Sequence, residues 1–153
     1  MQIERYEGDR ARLRPLFELA DDSAVLLDAY VDDGDVLIAR DGDDVVGHLQ
    51  LVDTDEHAVV EIKNMAVAPS HQGTGIGRAL VEHALAMARE RGASRVTVAT
   101  GTGDTGNLRF YQRLGFRMLA VERDAFTPER GYPAGLEVDG IELLDRVWFD
   151  QEL

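Results

Sequence analysis

Two turns in this 153-residue chain have the residue types needed to hold a phosphate. The first is Gln72-Gly73-Thr74-Gly75-Ile76-Gly77, ahead of a long helical pattern. Glycines let backbone N–H groups approach an anion closely, and a helix N-terminus adds a favourable dipole. Such a cradle needs no lysine, although a glycine-rich helix start also serves plain close packing. The second turn, Gly101-Thr102-Gly103-Asp104-Thr105-Gly106, is a literal G-x-G-x-x-G between a strand and a helix, with Glu122 and Asp124 about 20 residues further on. A dinucleotide-binding half requires successive β-α units, yet only a loop and one strand follow Asp124. The fingerprint is therefore read as coincidental, and a dinucleotide-binding oxidoreductase is kept only as an alternative.

The elements that must position these turns follow from periodicity. Met1–Tyr6 reads as a strand, Leu13, Leu16, Phe17 and Ala20 as a helix, and Ser23 as the cap of a second helix through Tyr30. Strands at 36–40 and 45–52 flank a hairpin turn at Asp41–Asp44, and a third strand at 58–68 ends at Pro69. In that third strand Val60 and Ile62 share one parity while Met65 and Val67 share the other. A period of two survives such a switch only through an inserted residue, which predicts a bulge near Lys63–Asn64. A helix over Thr74–Arg91, a strand over 94–100, a short helix over Asn107–Leu114 and a strand over 116–126 come next. A loop over Thr127–Gly140 and a final strand over 141–149 complete a single domain spanning 1–153.

The chain carries 29 acidic against 16 basic residues, a net charge of -13, and Lys63 is its one lysine. A field of this sign repels nucleic acid and anionic membranes, so neither is an expected partner. It reads either as an acidic groove attracting a cationic amine or as a surface adapted to high salt, a habit of a whole acidic, halophile proteome. There is no cysteine, and His48, His57, His71 and His83 show no metal-ligand spacing, so no metal is expected. No apolar run approaches the roughly 20 residues of a membrane span, and the first residues lack a signal peptide's pattern. A cytoplasmic protein is the expectation.

The run EIKNMAVAPSHQGTGIGRALVEHA (61–84) resembles the cofactor-binding core of the GNAT superfamily of N-acetyltransferases. Gln72, Gly75 and Gly77 fall in the places of the (Gln/Arg)-x-x-G-x-(Gly/Ala) motif. Downstream, NLRFYQRLGF (107–116) is similar to the family's short helix ending in Tyr-x-x-x-Gly-Phe. The resemblance implies an α/β fold with a mixed, mostly antiparallel twisted sheet and helices on both faces. It implies acetyl-CoA as co-substrate and transfer of the acetyl group to a primary amine by direct attack in a ternary complex.

The resemblance also implies roles. Met65, Ala66 and Val67 would offer strand backbone to the pantetheine arm, and one N–H would polarise the thioester carbonyl. Gln72, Gly73, Thr74, Gly75, Ile76, Gly77 and Arg78 would hold the pyrophosphate. Tyr111 would protonate the departing thiolate, with packing in the core as its other reading. Glu61 would act as general base through water, with an outward or acceptor-orienting carboxylate as the other. Asn107 is assigned to the cofactor site in place of a loop asparagine that relatives carry nearer Asp104, and Asn64 is read as structural. The acceptor, a small molecule or peptide amine, would meet Leu13–Tyr30 and Thr127–Gly140, with Tyr132 and Asp124 as contacts. A homodimer is compatible with the resemblance, and a non-catalytic acyl-CoA-binding module is the other alternative.

Overall fold

Valine, isoleucine and leucine runs build a central sheet in the computed structural model, which describes Met1 to Leu153. The strands are β1 (Gln2–Arg5), β2 (Asp35–Asp41), β3 (Asp44–Asp53), β4 (Val59–Val67), β5 (Arg95–Gly101), β6 (Arg117–Glu122), β7 (Glu137–Val138), β8 (Ile141–Glu142) and β9 (Arg146–Glu152). The α-helices are α1 (Arg14–Ala20), α2 (Ala24–Tyr30), α3 (Ile76–Glu90) and α4 (Thr105–Arg113). Seven strands form the main sheet in the order β1-β2-β3-β4-β5-β9-β6, and β7 and β8 form a separate hairpin. Only the β4–β5 pair is parallel.

Period-two alternation on β2 shows why helices cover both faces. Val36 and Ile38 pack with Leu13, Phe17 and Leu27 on the α1–α2 side, whereas Leu37 and Ala39 join the larger cluster with Ile76, Leu80 and Ala84 of α3. Phe17 is completely buried, and its truncation to alanine would cost about 3–5 kcal/mol. No helix is long and apolar enough to cross a membrane.

The predicted bulge is present. Gln50 pairs with Asn64 but Leu51 pairs with Ile62, so Lys63 is the inserted residue. Past Ile62 the sheet also loses its other neighbour, because β5 pairs with β4 only over Val59–Ile62 and Arg95–Val98.

Several boundaries differ from expectation. Gly75 has φ +88°, outside the right-handed region, so α3 begins at Ile76 rather than Thr74. Asp104 accepts from the Asn107 N–H at 3.0 Å and starts α4 at Thr105. Asp124 has φ +56°, and β6 ends before it, at Glu122. The segment read as a loop holds the β7–β8 hairpin, closed by Asp139 and Gly140 at φ +50° and +81°, the signature of a type I′ turn. Ile141 therefore belongs to that hairpin, and the last strand of the main sheet is Arg146–Glu152. The dinucleotide reading fails on topology: β6, the strand that follows α4, does not pair with β5, and β9 lies between them antiparallel to both. Its glycines have a packing role instead: a Cβ on Gly101 would stand 2.5 Å from Leu143 Cδ1, and one on Gly103 2.7 Å from Ile141 Cγ2.

Candidate active site

Where β4 and β5 part, a cleft of about 1390 Å³ opens, walled by the two strands, the start of α3, α4, the α1–α2 turn and the 125–146 segment. The unpaired half of β4 supplies its backbone. Ala68 N–H donates to Val46 O at 2.8 Å, which fixes the even-numbered residues of this stretch towards β3. By alternation the N–H and C=O groups of Met65 and Val67 face the gap, whereas those of Ala66 face β3. The expected backbone contact from Ala66 is therefore corrected: that residue still lines the cleft, but its amide is turned away.

At one end of the cleft lies the turn before α3. The backbone N–H groups of Gly73 through Arg78 donate to no protein acceptor, six in succession, and the first intrahelical bond is Ala79 N–H to Gly75 O at 3.0 Å. Gly73 and Gly75 have φ +75° and +88°, and a Cβ on either would meet nothing within 4 Å. Backbone conformation, not crowding, demands glycine there. Side chains brace the turn: Gln72 Nε2 donates to Val67 O at 3.0 Å and Thr74 Oγ1 to His71 O at 2.5 Å. Gly77 admits Met65 and Phe110 to within 3.2–3.3 Å of where its Cβ would stand. The Arg78 guanidinium is exposed and donates to Glu82 at 2.8 Å.

Tyr111 lines the cleft from α4 with only 6% of its surface exposed, among Phe110, Phe116 and Phe149. Its hydroxyl makes no hydrogen bond within the protein. Burial, with a smaller contribution from Asp104, pushes its pKa up, so the phenol holds its proton. Ring packing and a cleft-lining position coexist at this residue.

Glu61 lines the opposite wall from β4. Burial raises its pKa, opposed by Lys63 and Arg146. Lys63 Nζ lies 4.0 Å from Glu61 Oε2 and 4.9 Å above the Tyr30 ring. Behind this wall runs a buried chain of polar groups. Asn64 Nδ2 donates to Phe17 O at 3.2 Å and to the Tyr30 hydroxyl at 3.0 Å, and that hydroxyl donates to Asp21 Oδ2 at 2.5 Å. Asn64 is thus structural, as expected, and also ties the bulge to the α1–α2 turn.

The remaining expectations divide. Tyr132 lines the cleft; Asp124 does not, and its N–H is held by Asp145 at 2.8 Å. Asn107 lines the cleft, yet its amide nitrogen is committed to Thr100 Oγ1 and Asp104 Oδ2, at 3.1 and 3.0 Å. Asp21 and Tyr30 line the cleft from the Leu13–Tyr30 segment expected to meet the acceptor, whereas Arg146 lines it from β9, outside every expected site segment. No local spacing flags Arg146, because β9 reaches the cleft from the other end of the chain.

Residues 4–116 match the acetyltransferase (GNAT) family. The N-acetyltransferase YvbK of Bacillus subtilis strain 168 is 35% identical over 147 residues, covering 96% of this chain and 93% of YvbK. The crystal structure of a Bacillus subtilis acetyltransferase in complex with CoA aligns at a TM-score of 0.90 and 34% identity, covering 99% of this chain and 98% of that one. A GNAT family acetyltransferase from Elizabethkingia anophelis with acetyl-CoA bound aligns at 0.91 and 30% identity, covering 99% and 97%.

Proposed function

The chain belongs to the acetyltransferase (GNAT) family and is an acetyl-CoA-dependent N-acetyltransferase, and from that premise we propose how its own residues divide the work. The six unpaired amides from Gly73 to Arg78, beside a parted strand pair, carry the proposal. Backbone N–H groups at a helix start take the diphosphate of acetyl-CoA. The gap-facing groups of Met65 and Val67 hold the pantetheine arm, and the Met65 N–H donates to the thioester oxygen as it gains charge.

The amine nitrogen attacks the carbonyl carbon directly. Glu61, through water, takes the proton that the nitrogen must lose. As the carbon–sulfur bond breaks, Tyr111 gives its proton to the leaving thiolate and regains one from solvent. Burial keeps the proton on Tyr111 until the thiolate departs.

Asp21, Asp22 and Glu137, which all line the cleft, support a cationic acceptor, either a small molecule or a peptide amine. The single domain would work in the cytoplasm, and its acid excess supports adaptation to high salt; equal activity in dilute and molar salt would count against that. Two copies would pair through β6, the edge strand on which Met118, Leu119 and Val121 stay exposed; sedimentation showing only monomer would sink this. An acceptor screen with free-thiol release as readout tests the enzyme reading. Thiol release that saturates with at least one amine is expected, and tight acetyl-CoA binding with no turnover on any amine would favour a non-catalytic acyl-CoA module.

A further inference from the structure

Of the 16 basic residues, 15 are arginine and one is lysine, and that one is the inserted residue of the β4 bulge. Lys63 lines the cleft with its side chain 34% exposed. Its Nζ lies 4.0 Å from Glu61 Oε2, and Tyr30 supports the ammonium from below at 4.9 Å. Two residues along the strand sits Met65, whose amide faces the gap. The separation along the strand is about 6–7 Å, comparable to the length of a lysine arm. The chain therefore carries a primary amine of its own beside the acceptor wall, next to a carboxylate able to take its proton. Arginine here would not serve, because a guanidinium keeps its proton and is a poor nucleophile at neutral pH.

We propose that Lys63 is a self-acetylation site, modified within the same molecule by acetyl-CoA when no amine acceptor fills the cleft. The proposal rests on the reading of the cleft given above. The ammonium first loses one proton to Glu61. The Nζ lone pair then attacks the thioester carbonyl carbon, a carbon–nitrogen bond forms, and the carbon–sulfur bond breaks. The nitrogen sheds a second proton, the thiolate takes one up, and the products are Nε-acetyl-lysine, free CoA and one released proton. The acetylated side chain is uncharged. It loses its attraction to the Tyr30 ring, and Glu61 is left with Arg146 as its cationic neighbour.

The test incubates the full chain with acetyl-CoA and no acceptor, and follows acetyl incorporation by intact mass and peptide mapping. One acetyl group on Lys63 is expected, at a rate per molecule that saturates in acetyl-CoA and does not depend on protein concentration. Glu61→Gln should slow it about tenfold or more, and Lys63→Arg should abolish it. The exposed α-amino group of Met1 is the internal control for uncatalysed acetylation. Lys63 left unmodified, or modified no faster than Met1 or than Lys63 in the urea-unfolded chain, overturns the proposal. Calorimetry with acetyl-CoA on the same sample separates the two failures. Intact binding confines the loss to self-acetylation, whereas no binding removes the reading of the cleft as well.

Discussion

Nε2 of His48 stands 2.7 Å from Oδ1 of Asn64, in the interior directly behind the β4 bulge. The Phe17 carbonyl can only accept, so it fixes Asn64 Nδ2 as donor and Oδ1 as acceptor. His48 must then carry its proton on Nε2, and its Nδ1 has no partner. Every donor in the chain points one way, from His48 through Asn64 and Tyr30 to Asp21. Replacing Asn64 by alanine strands His48 Nε2 and the Phe17 carbonyl. A loss of about 1–3 kcal/mol is expected in equilibrium urea unfolding, and an unchanged midpoint would show the chain to be idle.

Burial holds the His48 pKa down to about 4, from an ordinary value near 6.5. Between those two values the unfolded chain binds a proton that the folded chain refuses, so stability falls as pH falls through this window. The expected loss by about pH 4 is up to roughly 3 kcal/mol. Urea unfolding at a series of pH values reads it directly. His48→Gln, with no titrating ring, should be less stable near neutrality and should lose this component of the slope.

Much of this arrangement was legible beforehand, for definite reasons. The change of parity between Val60–Ile62 and Met65–Val67 is a local signal, and it located the bulge. The glycine run at Gly73–Gly75 is equally local and marked the turn, although the positive φ of both glycines was found only in the structure. The polar chain was not legible, since His48 and Asn64 are 16 residues apart and Tyr30 and Asn64 are 34 apart. Nothing in either neighbourhood announces the other. The β7–β8 hairpin was legible in principle: Asp139-Gly140 between Val138 and Ile141 is a strong two-residue turn signal, outweighed by the run of apolar residues after Gly140. Asn107 does line the cleft, but its amide nitrogen is held by Thr100 Oγ1 and Asp104 Oδ2, contacts that its place in the motif does not announce.

Tyr111→Phe preserves the packed ring and removes only the hydroxyl. A drop in kcat of roughly a hundredfold or more is expected, with acetyl-CoA affinity by calorimetry unchanged. Full turnover with normal binding would leave Tyr111 as a core residue only.

Glu61 must be ionised to act as base, and its burial outweighs the opposing charges of Lys63 and Arg146, raising its pKa. The acid limb of the kcat/KM profile should therefore lie above the ordinary glutamate value near 4.3 and fall as pH drops through it. Glu61→Gln should be slow and should lack that limb. A variant with the wild-type profile would remove Glu61 from the proton path.

Gly75→Ala places a Cβ in open space but forces a left-handed φ. A stability cost of about 1–2 kcal/mol is expected. Acetyl-CoA binding should weaken by more than stability does, as the amides of the turn move out of line. Equal affinity in the two proteins would separate this turn from the diphosphate.

The most direct test is a crystal structure of the protein with acetyl-CoA bound. Diphosphate oxygens are expected within hydrogen-bond distance of amides between Gly73 and Arg78, with the thioester oxygen facing the Met65 N–H and the sulfur close to the Tyr111 hydroxyl. A diphosphate bound away from that turn, or a sulfur out of reach of Tyr111, would contradict it.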